Sequence, residues 1–292
     1  IIPQLRLMNK SSTETNWTLE IKPVSGWFNL HLKDVWRYRD LLFMFVRRDF
    51  VSVYKQTILG PFWFFVQPIL TTITFTIVFG NIAKIPTDGI PPMLFYMSGI
   101  VCWGYFSDCL SRTSSTFITN ANIFGKVYFP RLVSPLSNII SLLMKFGIQM
   151  LLLICFLIYF KFQGSDVNPN AYILLTPYLI LLMAGLGLGV GIIVSSLTTK
   201  YRDLTFLVGF GVQLLMYATP VIYPLSALPE KYKWIVLLNP MTSIVDTFRF
   251  AFLGAGTFDM GNLIYTSVFV LVVLTIGIIV FNRVEKTFMD TV

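Results

Sequence analysis

Six long apolar segments, separated by shorter polar stretches, dominate the chain. A helix needs about 20 mostly apolar residues to cross the roughly 30 Å hydrocarbon core of a bilayer. The six segments cover approximately residues 59–82, 93–111, 132–160, 171–197, 204–223 and 262–282. The pattern predicts an all-α integral membrane protein, with residues 57–292 forming a domain of six transmembrane helices per chain.

Two zones precede the first predicted span. Residues 1–32 are polar and mixed, without the apolar core of a removable signal peptide, and predict a loosely structured extension. Residues 33–56 carry apolar side chains near helical spacing, with arginines and aspartates on the other faces. This pattern predicts a cytoplasmic amphipathic helix that lies in the membrane interface, its basic side chains near anionic headgroups. Its assigned interface residues are Trp36, Arg47, Arg48 and Tyr54.

The connection between the last two spans is too apolar for an ordinary loop. Residues 226–254 include the run KWIVLLNPMTSIVDTFRFAFLG, which is interrupted at Asn239 and Pro240. The interruption predicts two short helices joined by a proline bend. Non-helical backbone at membrane depth must be buried in protein or line water. We therefore predict a re-entrant outer hairpin between spans five and six, beside a pore.

Composition and charge agree with a membrane protein and give it an orientation. The chain is 55% hydrophobic and 12% charged, whereas a soluble globular protein has about 25% charged residues. The net charge of +8 reflects the Lys/Arg excess that orients membrane proteins rather than a nucleic-acid interface. Sixteen Lys/Arg fall on the side of the termini and five on the other side. The split predicts a multi-pass protein of the bacterial inner membrane with both termini in the cytoplasm.

Motifs of catalysis and of nucleotide binding are absent from the sequence. There is no GxxxxGK[ST] phosphate loop, so ATP-driven transport would need an ATPase on another chain. There is no HExxH, CxxC or GxSxG motif, and the single histidine, His31, lies in the polar extension. We predict no catalytic residue and no metal site. A membrane enzyme would need an acidic or histidine cluster, and a secondary transporter or channel remains the alternative function.

A few charged residues fall in or beside the predicted spans, where an ionisable group is costly. Lys145 lies in span three, where snorkelling toward the cytoplasmic side is favoured over a pore-lining position. Asp108 and Arg112 are spaced i, i+4, which predicts a local helix pair. The same interpretation applies to Asp246 and Arg249.

Aromatic residues are unusually frequent, at 16% of the chain. Most are expected to face lipid or to form interfacial belts. A subset is a candidate channel lining, because ring faces can stack on the apolar C–H faces of sugars while the hydroxyls stay wet. Packing is the alternative role for each of them. The candidates are Phe62, Trp63, Phe64, Phe65, Trp103, Tyr105, Phe106, Tyr217 and Tyr223.

Short motifs occur in a fixed order along residues 33–290. They are RDF at 48–50, YKQ at 54–56, LGPFW at 59–63, QP at 67–68, NAN at 120–122, GKV at 125–127, FPR at 129–131, YRD at 201–203, TPVIYP at 219–224 and LNPM at 238–241. Together they resemble the permeases of ABC exporters for polysaccharides and polyol phosphates. Members of that family export O-antigen, capsular polysaccharide or teichoic acid.

The resemblance implies partners and a working arrangement. It implies a homodimer of this chain bound to two copies of a separate ATPase, which would hold ATP and magnesium, so that this chain carries no cofactor. It also implies a coupling segment at 119–127 that docks on the ATPase, and a gate function for the interface helix. The substrate would be a lipid-linked polysaccharide that enters laterally from the membrane lipids, with no role for nucleic acid. The coupling candidates are Asn120, Asn122, Phe124, Gly125 and Lys126.

Overall fold

Helices form most of the part of the chain that the structure describes. The computed structural model describes residues 32–55, 60–127, 129–198, 201 and 203–291, and these ranges contain no strand. The predicted polar extension, apart from its last residue, and His31 lie outside them. The helices are α1 Leu32–Arg37, α2 Arg39–Tyr54, α3 Trp63–Phe75, α4 Pro92–Ser114, α5 Thr116–Thr119, α6 Ala121–Phe124, α7 Val133–Phe162, α8 Thr176–Thr198, α9 Leu204–Ala218, α10 Glu230–Leu237, α11 Pro240–Leu253 and α12 Met260–Thr291.

Four of the described helical segments are long and apolar enough to cross a membrane. They are Trp63–Ile82, Val133–Phe162, Ala171–Thr198 and Met260–Val284. The pair α10 and α11 would add a fifth if it is one bent span. The all-helical membrane architecture is therefore confirmed, whereas the count of six spans stays a prediction.

Helix α4 is the predicted second span, and it lies at the centre of the bundle. Fifteen of its 23 residues are buried, including the polar Ser98 and Thr113. It packs against α3, α7, α8 and α11. Because most of α4 contacts protein rather than lipid, its composition is less apolar than that of the outer helices.

Four glycines allow α8 to approach two neighbours closely. Gly185 and Gly189 face α12, while Gly187 and Gly191 face α4. A Cβ atom added to Gly187 would lie 2.6 Å from the Cβ of Cys109. Small residues four apart let helix backbones come together in membranes, where packing rather than hydrophobicity drives association. The alternating glycines thus place α8 tightly between α4 and α12.

Helices α10 and α11 meet at the predicted bend. Their axes differ by 102° across the break before Pro240. Asn239 caps α11, because its side-chain oxygen accepts a hydrogen bond from the backbone N–H of Met241 at 3.0 Å. Its side-chain amide also donates to the Thr219 hydroxyl at 2.8 Å, which fixes the bend to the end of α9. That this pair enters the membrane as a hairpin stays a prediction.

Candidate functional site

The predicted coupling segment forms two short helices, α5 and α6, joined at Asn120. The Asn120 side-chain amide donates to the Ser134 hydroxyl of α7 at 2.9 Å and to the carbonyl of Thr116 at 3.0 Å. Phe124 is also buried, with 3% of its surface exposed. These two coupling candidates therefore face inward, and Asn120 ties the segment to α7.

The other three coupling candidates point outward. Asn122, Gly125 and Lys126 are exposed, as is the neighbouring Val127. Gly125 ends α6 with ordinary helical backbone angles, and a Cβ atom there would meet only the carbonyl of Ala121 at 3.6 Å. The outer face of α6 and the residues after it are thus open to a partner, and a side chain at 125 would project without strain.

Aromatic rings connect this coupling segment to distant parts of the chain. Phe124 contacts Phe117 and Phe129, with ring centroids 5.9 Å and 5.6 Å apart. Phe117 in turn stacks on Phe281 of α12 at 4.8 Å. Edge-to-face and stacked pairs of this kind are specific, close-packed contacts. The rings therefore join α6, through Phe117, to α12, while the Asn120 side chain joins the same segment to α7.

The interface helix is divided in two at Tyr38, and α2 packs along α7. Leu42 is buried, the ring of Phe45 lies 5.7 Å from that of Phe129, and the Ser141 hydroxyl donates to the Asp49 carboxylate at 3.5 Å. These contacts fasten one face of α2 to the body of the protein.

The opposite face of this region is both apolar and basic. Trp36 is 71% exposed, with the guanidinium of Arg39 lying 5.7 Å from its ring centroid, and Arg47 is exposed. Arg48 pairs with Asp49 at 2.8 Å and covers the Phe45 ring. The apolar side chains of Phe43 and Met44 are also exposed. The mixture suits a lipid headgroup surface. The side chain of Tyr54 lies outside the described part.

The nine aromatic channel candidates fall into three groups. The exposed ones are Phe62, Trp63 and Tyr217. The half-buried ones are Phe64, Phe65 and Tyr223. The buried ones are Trp103, Tyr105 and Phe106. The buried group packs inside the chain, with Trp103 against Phe106 and Tyr105 against Phe146. A channel role for these residues stays a prediction, for which the exposed group is the better placed.

Two charged residues of the spans pair across helices. The Lys145 ammonium contacts the Asp108 carboxylate at 2.7 Å, joining α7 to α4. The predicted pair of Asp108 with Arg112 is therefore wrong, and Lys145 does not extend freely to the interface. Since both side chains are largely shielded from water, a direct ion pair between adjacent helices compensates them better than separate solvation.

Arg249 of α11 is buried. It attracts Asp246 electrostatically, as their spacing predicts, but its hydrogen bonds go to other acceptors. Its guanidinium donates to the carbonyls of Pro220, Val221 and Phe95 and to the hydroxyl of Ser98. It also stacks on the Phe95 ring, 3.7 Å from the centroid. Gly99 makes this possible, because a Cβ there would lie 2.7 Å from the guanidinium. We call this arrangement the Arg249 clamp; it joins α11, α4 and the connection after α9.

Among the described residues, no group of three or more His, Cys, Asp or Glu side chains could hold a metal ion. The features that stand out are the segment α5–α6 tethered to α7, the helix α2 packed along α7, and the bend before Pro240 beside the Arg249 clamp. A comparison with protein families agrees with this architecture. Residues 40–253 match the family of ABC-2 type transporters. The chain belongs to this family.

Known relatives align with this chain over most of their length. The O-antigen export system permease protein RfbA of Klebsiella pneumoniae is 28% identical over 252 residues, which cover 86% of this chain and 94% of that protein. RfbA of Myxococcus xanthus is 27% identical over 225 residues, covering 76% and 83%. The polysialic acid transport protein KpsM of Escherichia coli is 21% identical over 236 residues, covering 80% and 89%.

Proposed function

We propose that this ABC-2 family chain is the permease subunit of an ATP-driven exporter that moves lipid-linked, O-antigen-like polysaccharide across the bacterial inner membrane. The observation that carries the proposal is the similarity to O-antigen export permeases over nearly their whole length. Two copies of the chain would enclose the channel, and two copies of a separate ATPase, holding ATP and magnesium, would drive it. Both termini would lie in the cytoplasm.

The coupling segment would be the contact with the ATPase. Its exposed residues Asn122, Gly125 and Lys126 would dock in a groove of the ATPase, while Asn120 and Phe124 transmit the motion inward. Rigid elements joined to long helices convert a local displacement into a tilt of the whole wall. The tether to α7 and the ring contacts to α12 supply such rigid joints.

The interface helix would admit the lipid-linked substrate from the membrane. Its outer face combines exposed Trp36, Phe43 and Met44 with arginines, and can hold both acyl chains and anionic headgroups. Exposed Phe62 and Trp63 follow just after this helix in the chain. They are the first rings that a sugar chain would meet, and stacking on them would require no particular sugar sequence.

The substitution Gly125→Glu tests the docking surface. A Cβ fits at this position, so the chain should still fold and insert, but an unpaired carboxylate buried in an interface costs several kcal/mol. We expect ATPase binding to weaken at least about tenfold, with a parallel loss of polymer export from vesicles containing both subunits. Gly125→Ala is the matched control and should behave as the unmodified chain does.

Two results would each contradict a part of the proposal. Normal ATPase binding and export by Gly125→Glu would remove the docking role of α6. Transport by the chain alone, without ATP and the ATPase, would instead favour a secondary transporter or channel.

A further inference from the structure

A cavity of about 330 Å³ lies between α11, the α3–α4 loop and the connection after α9. Its charged lining consists of Asp88, Asp246 and Arg249, which give the cavity one net negative charge when both carboxylates are ionised. The hydroxyls of Ser226 and Thr257 add uncharged oxygen atoms. At roughly 30 Å³ for each water in the liquid, the space holds an ion together with its hydration waters.

Asp246 lines this cavity with a carboxylate that accepts no hydrogen bond from the described part of the chain. Only 5% of its surface is exposed, and no hydrogen bond or ion pair joins it to any residue that the structure describes. Arg249, one helical turn away, attracts it electrostatically but directs its hydrogen bonds to the acceptors of the Arg249 clamp. A buried charge that lacks hydrogen bonds is costly, so a ligand that neutralises it would be stabilised.

Asp88 supplies a second carboxylate at the mouth of the same cavity. It is exposed and accepts a hydrogen bond from the Ser226 hydroxyl at 2.6 Å. The carboxylates of Asp88 and Asp246 repel each other electrostatically when both are charged. A cation between them would relieve that repulsion and satisfy the free oxygen atoms.

We propose that this cavity is a binding site for a divalent metal cation, held by the carboxylates of Asp246 and Asp88 with water and hydroxyl oxygens completing its coordination. Calcium and magnesium prefer oxygen ligands, and sites with few charged ligands bind calcium with dissociation constants of about 0.1 to 1 mM. Bound metal would join the α3–α4 loop to α11, stabilising the end of the bundle at which the Arg249 clamp lies.

Calcium binding to the purified full-length chain tests the site, without ATPase or substrate. Equilibrium dialysis with radioactive calcium chloride, in a zwitterionic detergent at constant ionic strength, should show one saturable site per chain. Asp246→Asn should weaken binding at least about tenfold, because it removes the carboxylate that no side chain compensates. Asp166→Asn is the matched control and should leave calcium binding unchanged. Asp166 lies outside the cavity lining, and its carboxylate accepts a hydrogen bond from the Asn168 side-chain amide.

Asp88→Asn is a second variant at an exposed position, and it should also weaken calcium binding about tenfold. If Asp246→Asn does not fold, judged by size-exclusion chromatography, the result for Asp88→Asn decides. The proposal is overturned if the unmodified chain shows no saturable calcium binding, or if the folded cavity variants bind as it does. Displacement of calcium by an equal concentration of sodium would also overturn it. Because no transport is measured, this outcome is independent of the export function.

Discussion

Replacing Gly187 by alanine should destabilise the bundle through a single methyl group. The added carbon would lie 2.6 Å from the Cβ of Cys109, 3.2 Å from the nitrogen of Leu110 and 3.3 Å from the carbonyl oxygen of Phe106. Carbon atoms prefer separations of about 3.5 to 4.0 Å. Two of the three neighbours are backbone atoms of α4, so relief requires the helices to separate by about 1 Å.

The expected cost follows from the overpacking of cores. Inserting a methylene into a packed core costs about 1 to 3 kcal/mol. Alanine also favours the helix over glycine by about 0.8 to 1.0 kcal/mol, and a control must remove this contribution. Gly147 of α7 and Gly209 of α9 are suitable, because a Cβ there meets nothing within 4 Å. Because the helix-propensity gain is common to Gly187→Ala and to these controls, it cancels, and the difference between them should be about 1 to 3 kcal/mol.

Unfolding of the purified chain in mixed micelles, with increasing denaturing detergent, measures this contrast. We expect the transition of Gly187→Ala to fall below that of the unmodified chain, and those of Gly147→Ala and Gly209→Ala to stay level or rise. If Gly187→Ala is as stable as the two controls, close packing of α8 on α4 does not stabilise the bundle.

Two further predictions concern the charged residues inside the bundle. Lys145→Met should destabilise the chain by about 1 to 3 kcal/mol, because it leaves Asp108 without its partner in a partly shielded site. The double variant with Asp108→Leu should recover most of that loss in the same unfolding assay. A lack of recovery would contradict a direct pair. Arg249→Met should cost at least about 3 kcal/mol, since it removes the donor to the buried carbonyls of Pro220 and Val221. Lys231→Met, at an exposed position, should stay within about 0.5 kcal/mol, and equal stability of the two variants would contradict the clamp.

The apolar runs predict the outer helices because those helices must be hydrophobic along their whole length. Helix α4 is harder to recognise, since its neighbours are protein and its composition is less apolar. Asn239 and Pro240 also predict their bend correctly, because capping and the missing proline N–H are local properties. The close packing of α8 has a signal in the run GLGLGVG at 185–191, and its two faces follow from the spacing of four residues.

The partners of charged side chains could not be predicted in this way. Spacing along one helix suggested local pairs for Asp108 and for Arg249, but both residues contact other helices. Which helices adjoin is a tertiary property that local spacing does not contain. The coupling segment stays a prediction that rests on the family resemblance, and the division of its residues into inward and outward ones depends on the contacts of Asn120 and Phe124.

The stack of Phe117 on Phe281 sets a condition for building chimeras of these permeases. The matched family region ends at residue 253, yet the ring that supports α5 comes from α12, beyond that boundary. Exchanging residues 112–134 alone between relatives would place the aromatic residues of one protein against the α12 residues of another. An exchange of this segment should therefore also include the residues around Phe281, although Phe281 lies more than 150 positions further along the chain than Phe117.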